Sequence, residues 1–362
     1  MLKEQLIRYD AATGIVHSPP QQIFLELSGR CNLACVHCPI DYGLPESALR
    51  TDMPRRLIER QMPWLHRARF VNLNLVGEPL LAEHFDWALS EIAKGGAEIG
   101  FNTNAVLLSE ERCEHLIRAR VQSVSVSIDG TSLHQRIRNI PYEKTAEKIR
   151  LLDRTKRRLG SELPHVGIAY TLMKSNANEL LAMLDDLLGS AQIHAVHVQP
   201  LVVNYETLRD ENAYEVDGID ELLAEARKRC ERNGTELIMF RSQFAEDEHE
   251  MGSLRQLHEL GPHSDLLGCS DPFFEMKIHH DGSVDGCSFG QSAPGNALAQ
   301  DIGEIWNDAW YRELRMRLLA KRYEGRCGTC PLIHGGLLNQ LSPIREGVHH
   351  SRAESFFASK LG

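Results

Sequence analysis

Cys31, Cys35 and Cys38 share one short stretch, SGRCNLACVHCPIDYG, directly after an apolar run. Thiols spaced this way can form a disulfide, half of a zinc site, a nucleophile with bystanders, or ligands to an iron–sulfur cluster. A disulfide uses two of the three, and zinc usually takes four ligands in closed geometry, so a distant His would have to complete it. A cubane cluster normally takes four thiolates. Three would leave one iron open to N and O atoms of a cofactor or substrate. A second set, Cys269, Cys287, Cys327 and Cys330, has enough thiols to close a cluster. A zinc ribbon would want two Cys-x2-Cys knuckles, and only Cys327-x2-Cys330 is present. Zinc stays open there as the alternative. Cys113 and Cys230 fall in helical segments, where core packing is the default and hydrogen donation by the thiol is the alternative.

The elements that must position these groups come from a chain of 362 residues, 42% hydrophobic and 25% charged, which are ordinary globular values. The formal net charge of −10 argues against a nucleic-acid surface. Arg55-Arg56 and Lys156-Arg157-Arg158 lie in helical segments with acids nearby and read as solvated helix faces. MLKEQLIRYDAATG lacks the apolar stretch of a signal peptide, and no run is long enough to cross a membrane. The expectation is a cytoplasmic protein without a membrane or nucleic-acid partner. Its odd number of cysteines, nine, in a reducing compartment favours metal or redox chemistry over disulfides.

Strand-length β-branched runs at 22–28, 70–76, 98–104, 123–129, 165–173 and 195–200 alternate with helical spacing at 53–67, 82–94, 109–119, 142–159, 177–189 and 218–232. This alternation predicts a parallel sheet with helices packed outside. Six units are too few for a closed eightfold barrel. The fold class is therefore α/β, an open six-unit (β/α)6 partial TIM barrel, with a small C-terminal cluster-binding domain built from a β-hairpin and a helix. The hairpin is FFEMKIHH, an Asp281-Gly282 turn and SVDGC, and the helix spans 301–320. Chemistry in such folds sits on the loops after the strands. The cysteine triplet follows the first strand, Gly77-Glu78-Pro79 the second, Asn104 closes the third, and Asp129-Gly130 ends the fourth. The division expected is an N-terminal segment (1–20), the partial barrel (21–240), a linker or lid (241–268), the second cysteine domain (269–335) and a tail (336–362).

CNLACVHC is a Cys-x3-Cys-x2-Cys motif in the loop after the first strand, and it resembles the signature of the radical S-adenosylmethionine (radical SAM) superfamily. GEP at 77–79 resembles the family's Gly-Gly-Glu-Pro motif, with Val76 in place of its first glycine. SIDG at 127–130 resembles a recurrent strand end in the branch with C-terminal clusters. The span from Cys269 through Gly282 to Cys287 is similar to the opening of the auxiliary-cluster domain called SPASM. Later ligand positions hold Gly336 and Gln340, so the pattern resembles the shortened, one-cluster "twitch" form. The resemblance implies two 4Fe–4S clusters and S-adenosylmethionine. The first cluster, on Cys31, Cys35 and Cys38, would chelate the cofactor's amino and carboxylate groups. One electron would cleave its sulfonium and release a 5′-deoxyadenosyl radical, which takes a hydrogen atom from substrate. Gly77, Glu78 and Pro79 would hold the methionine amino group. His37 would stack near the adenine, and Asn104 and Ser127 would meet the carboxylate or ribose. The auxiliary cluster, on Cys269, Cys287, Cys327 and Cys330, would carry an electron to or from the substrate radical.

The sulfatase-maturing branch places an Asp directly after the cysteine that corresponds to Cys287, and this chain has Ser288. A single auxiliary cluster is typical of enzymes that oxidise or epimerise a sugar-like or aminocyclitol small molecule, and that is the function expected. A reductant such as flavodoxin or ferredoxin would be the partner. Peptide modification is the alternative. From other classes, an iron–sulfur electron carrier or a zinc-bearing scaffold also remains. Asp129, Asp285 and Arg138 are the candidate proton acceptors.

Overall fold

A computed structural model of the chain describes residues 9–38, 51–201, 208–239, 269, 271–287 and 292–330. The expected lid at 241–268 and tail at 336–362, with Ser288, Gly336 and Gln340, lie outside the described residues. Two short strands, β1 (Tyr9–Asp10) and β2 (Ile15–Val16), pair as an antiparallel hairpin. The alternation then begins with β3 (Gln22–Leu25), α1 (Arg55–Leu65), β4 (Phe70–Asn72), α2 (Phe85–Ala93), β5 (Glu98–Thr103) and α3 (Glu110–Arg118). It continues through β6 (Ser123–Ser127), α4 (His134–Arg138), α5 (Tyr142–Leu159), β7 (His165–Leu172), α6 (Leu180–Ser190), β8 (Ala195–Pro200), α7 (Ile219–Arg232) and β9 (Glu236–Met239).

Strands β3 to β9 are parallel and stand in chain order. Helix ends follow local chemistry. The Ser109 hydroxyl accepts from Arg112 N at 3.2 Å to start α3, and Gly160 at φ 63° ends α5 in the left-handed region that glycine tolerates. Val124, Val126, Val166, Ile168, Val196 and Val198 are buried in the core under the helices. Their alternate neighbours Ser125, Ser127, Ala169 and His197 are only part-buried. A parallel sheet covered on both faces reads as continuously apolar, so this alternation marks one face packed under helices and an inner face that carries polar groups.

The sheet is larger than the six strands read from sequence. Strand β9 is a seventh parallel strand. On the other side β10 (Glu275–Ile278) lies parallel to β3, with Met276 opposite Ile23 and Ile278 opposite Leu25. Strands β11 (Ser283–Asp285) and β12 (Ser292–Asn296) follow it antiparallel. The expected hairpin therefore exists, and it extends the barrel sheet to ten strands. The sheet ends at β12 and β9, so among the described residues the barrel does not close. The expected helix 301–320 is two helices, Ile302–Trp306 and Ala309–Leu319. Asp308 interrupts them because its carboxylate caps Tyr311 N at 2.8 Å.

The buried Arg315 holds this end together. Its guanidinium donates to the carbonyls of Pro272 (2.7 Å), Trp306 (2.7 Å) and Gly14 (3.1 Å) and to Asn307 Oδ1 (2.9 Å), and it lies 4.3 Å over the Trp306 ring. The N-terminal hairpin is thereby fastened to the C-terminal helices.

Candidate active site

The loop from Ser28 to Cys38 leaves β3 at its C-terminal end and is fixed at both sides. Ser28 Oγ donates to Asp52 at 2.7 Å, and Arg30 makes a two-point pair with the same carboxylate at 2.9 and 2.5 Å. Arg30 also reaches the carbonyl of Leu81, just past the GEP turn, at 3.0 Å. The two loops press together. Glu78 N donates to Arg30 O at 2.8 Å, and any Cβ at Gly77 would run into the Ser28 carbonyl oxygen. Glycine is required at 77 by this close approach.

Glu78 turns its carboxylate inward. Thr103 Oγ1 donates to it at 2.7 Å, Asn104 N at 2.8 Å and Leu80 N at 3.2 Å. Burial raises its pKa, and the three donors oppose that rise. The side chain thus holds the end of β5, and what the turn offers to a ligand is backbone. Asn104 Nδ2 in turn donates to Asn32 Oδ1 at 2.7 Å and approaches Cys31 Sγ at 3.7 Å. Three of the four expected rim loops are one hydrogen-bonded unit. Ser127 stands at the end of β6 on the inner face.

The fourth loop supplies the charge. Asp129 is completely buried, with His37 Nε2 at 2.8 Å and Arg138 Nε at 2.6 Å from the same oxygen, and Thr171 N donates to the other at 2.8 Å. The Arg138 contact is angled off the N–H axis, so it acts as an ion pair and not as an aligned hydrogen bond. Burial would raise the carboxyl pKa, but Arg138 and His37 hold it well below the ordinary range. Arg138 Nη1 also approaches Cys35 Sγ at 3.9 Å. Asp129 and Arg138, two of the three candidate proton acceptors, are both buried and paired with each other. His37, expected near an adenine, has one ring edge tied to Asp129.

The thiols suit a cationic cluster by the chemistry of their surroundings. Burial pushes Cys35 up to about 11, with the Arg138 cation opposing the rise and Asp129 adding to it, and burial together with Glu78 raises Cys31. A thiolate at Cys31 would repel one at Cys35. In the second set, burial followed by Asp271, Cys287 and Cys330 raises Cys269 well above the ordinary thiol value. Such mutually repelling buried thiols are stabilised as thiolates by positive charge, which cluster irons would add to that of Arg138 beside Cys35. Among the described residues no group of three or more His, Cys, Asp or Glu side chains is arranged to hold a single metal ion. Cys113 and Cys230 are fully buried in α3 and α7, as core packing predicts.

Sequence reasoning missed the buried Glu26, one residue past β3. Its Oε1 accepts from Val76 N at 3.1 Å, and its Oε2 accepts from His280 Nδ1 at 2.8 Å and from His279 Nδ1 at 3.3 Å. The signal was present: a carboxylate inside the apolar run QIFLELS needs a partner.

The Radical SAM superfamily model matches residues 25–187, and an iron–sulfur cluster-binding domain model, SPASM, matches residues 269–331. Together they cover more than half of the chain. The chain carries a radical SAM domain followed by a SPASM cluster-binding domain. An AdoMet-dependent heme synthase of Methanosarcina barkeri is 26% identical over 340 residues, covering 86% of this chain and 88% of the relative. A tungsten-containing aldehyde ferredoxin oxidoreductase cofactor-modifying protein of Pyrococcus furiosus is 26% identical over 44% of this chain, and the match spans 45% of that relative. Among solved structures, Streptococcus suis SuiB bound to S-adenosylmethionine superposes with a TM-score of 0.66 at 15% identity, over 95% of this chain and 79% of that one. The structure titled anSMEcpe with bound AdoMet gives 0.59 at 16% identity, over 94% and 97%. This radical SAM protein uses 4Fe–4S clusters and S-adenosylmethionine. No helix among the described residues is long and apolar enough to cross a membrane.

Proposed function

We propose that this radical SAM enzyme oxidises or epimerises a small polar molecule bound on the inner face of the sheet. When bound, the cofactors supply a 5′-deoxyadenosyl radical able to take a hydrogen atom from carbon. Cys31, Cys35 and Cys38 would hold the first cluster, and Cys269, Cys287, Cys327 and Cys330 the second. The backbone of Gly77, Glu78 and Pro79 would hold the methionine amino group. Asn104 orients the Cys31 end of the loop, and Asn104 and Ser127 would meet the carboxylate or ribose. His37 presents its ring face.

One observation carries the substrate reading. The side chains of Asn102, Ser125, Ser127, His197 and Gln199 lie on the inner face, and none makes a hydrogen bond among the described residues. Small residues separate them: Ala169 stands between Ser127 and His197, and Gly167 between Ser125 and Ala195. Burial lowers the His197 pKa, so its imidazole is neutral at pH 7 and open to accept or donate. Unused neutral donors and acceptors around an open floor suit a hydroxylated or amide-bearing ligand. A sugar- or aminocyclitol-like molecule is one such ligand. The relative matched along its length is named for heme synthesis, which also supports a biosynthetic small molecule.

The test is iron and sulfide content after anaerobic reconstitution, together with 5′-deoxyadenosine formation under dithionite. Wild type is expected to hold about eight irons and a Cys31/Cys35/Cys38→Ala variant about four, with cleavage abolished. Zinc in place of iron, or cleavage that survives in the variant, would sink the reading.

A further inference from the structure

Glu26, His279 and Asp285 form a continuous contact between the GEP loop and the hairpin that carries Cys287. Glu26 is only 3% exposed, and its two oxygens face opposite ways along this contact. One accepts from the backbone of Val76, directly before Gly77. The other accepts from His280 Nδ1 at 2.8 Å, from His280 N at 3.3 Å and from His279 Nδ1 at 3.3 Å, while His279 Nε2, the nitrogen that reaches the hairpin, lies 2.9 Å from Asp285 Oδ2. Asp285 closes β11, two positions before Cys287, and its carbonyl accepts from Tyr311 at 3.3 Å. With a carboxylate on each nitrogen, the ring donates at both and is an imidazolium. Burial would lower its pKa, yet Asp285 and Glu26 lift it to about 10.

A buried planar carboxylate with partners on both oxygens has little slack. If Val76 shifts when a ligand occupies the adjoining turn, Glu26 must follow or lose a bond, and His279 and Asp285 follow Glu26. A buried bond left unmade costs about 1–3 kcal/mol, which favours concerted movement. The same groups are not needed to hold the barrel to the hairpin, because β3 and β10 already pair directly.

We infer that His279 is a positioning residue through which occupation of the S-adenosylmethionine loop is felt at the auxiliary cluster. The inference rests on the two-cluster assignment proposed above. Coupling between sites is reciprocal, and typical factors run from about five-fold upward. It is established by measurement and not by adjacency alone.

The experiment is an EPR-monitored redox titration of the auxiliary cluster in reconstituted enzyme. It is run with and without S-adenosylhomocysteine, which lacks a cleavable sulfonium. In wild type the ligand is expected to change the auxiliary cluster's reduction equilibrium by about five-fold or more. The H279Q variant keeps both clusters and loses that change. An equal change in wild type and variant, or none in wild type, overturns the inference. Hydrogen exchange of the 279–287 segment in wild type needs no variant. Protection on ligand binding is expected, and unchanged exchange counts against the coupling. Iron near four per chain would instead fail the two-cluster reading itself.

Discussion

At the scale of single residues, the site consists of buried charges whose partners come from other strands. Removing Arg138 would leave Asp129 in the interior without its cation, which costs about 3–5 kcal/mol. R138M is therefore expected to unfold at markedly lower denaturant than wild type, and D129N/R138M to recover part of the loss. Equal midpoints for single and double variants would show that the pair is not the cause. Gly77 answers a different constraint. In G77A the new methyl must displace the Ser28 carbonyl, so iron content is expected to persist while S-adenosylmethionine binding weakens about tenfold, equivalent to about 1.4 kcal/mol. Equilibrium dialysis on the reconstituted variant checks this. The placement of Cys31, Cys35, Cys38, Gly77 and Asp129 on loops after strands was legible from the strand–helix alternation. Their partners were not. Nothing local in the sequence says that His37 meets Asp129, or that Glu78 turns away from the ligand side to cap the end of β5.

At the scale of elements, the period-two pattern was readable wherever one strand face is apolar and the other is not. That is why β3 to β8 fall where the alternation places them. Strand β9 escaped because Glu236–Met239 is short and follows α7 after a tight turn. The break at Asp308 escaped because an Asp within a helical pattern also reads as a surface residue. The N-terminal hairpin has no long pattern of its own, and its place depends on Arg315. R315M is expected to leave the carbonyls of Gly14, Pro272 and Trp306 without their donor. The loss should exceed about 3 kcal/mol, since each unmade buried bond costs about 1–3. Limited proteolysis should then cut first near residues 9–20, and wild-type resistance in that segment would refute the role.

At the scale of the whole molecule, the Glu26–His279 contact gives stability a pH window. The folded pKa of Glu26 is lowered from 4.5 to about 2, although burial alone would raise it, because His279 and His280 bond to it. Its contribution is present above about 4.5 and is lost as pH falls toward 2. The folded pKa of His279 is raised from 6.5 to about 10. Its contribution is full below about 6.5 and is lost as pH rises through 10. Both describe one interaction, which is whole only between about pH 4.5 and 6.5. Anaerobic unfolding midpoints of wild type should decline from pH 6.5 to 10 more steeply than those of H279Q. Parallel declines would assign the alkaline loss elsewhere.

The parallel pairing of β10 with β3 also bears on the order of synthesis. Strand β3 is made well before β10, one of its two neighbours, since strands β4 to β9 and their helices lie between them in the chain. Until then its edge is open, and unpaired edges invite wrong partners. The loop carrying Cys31 to Cys38 hangs from that same strand. Metal loading of the first site would then wait until β10 is made, so products stalled before it would emerge iron-free and prone to aggregation.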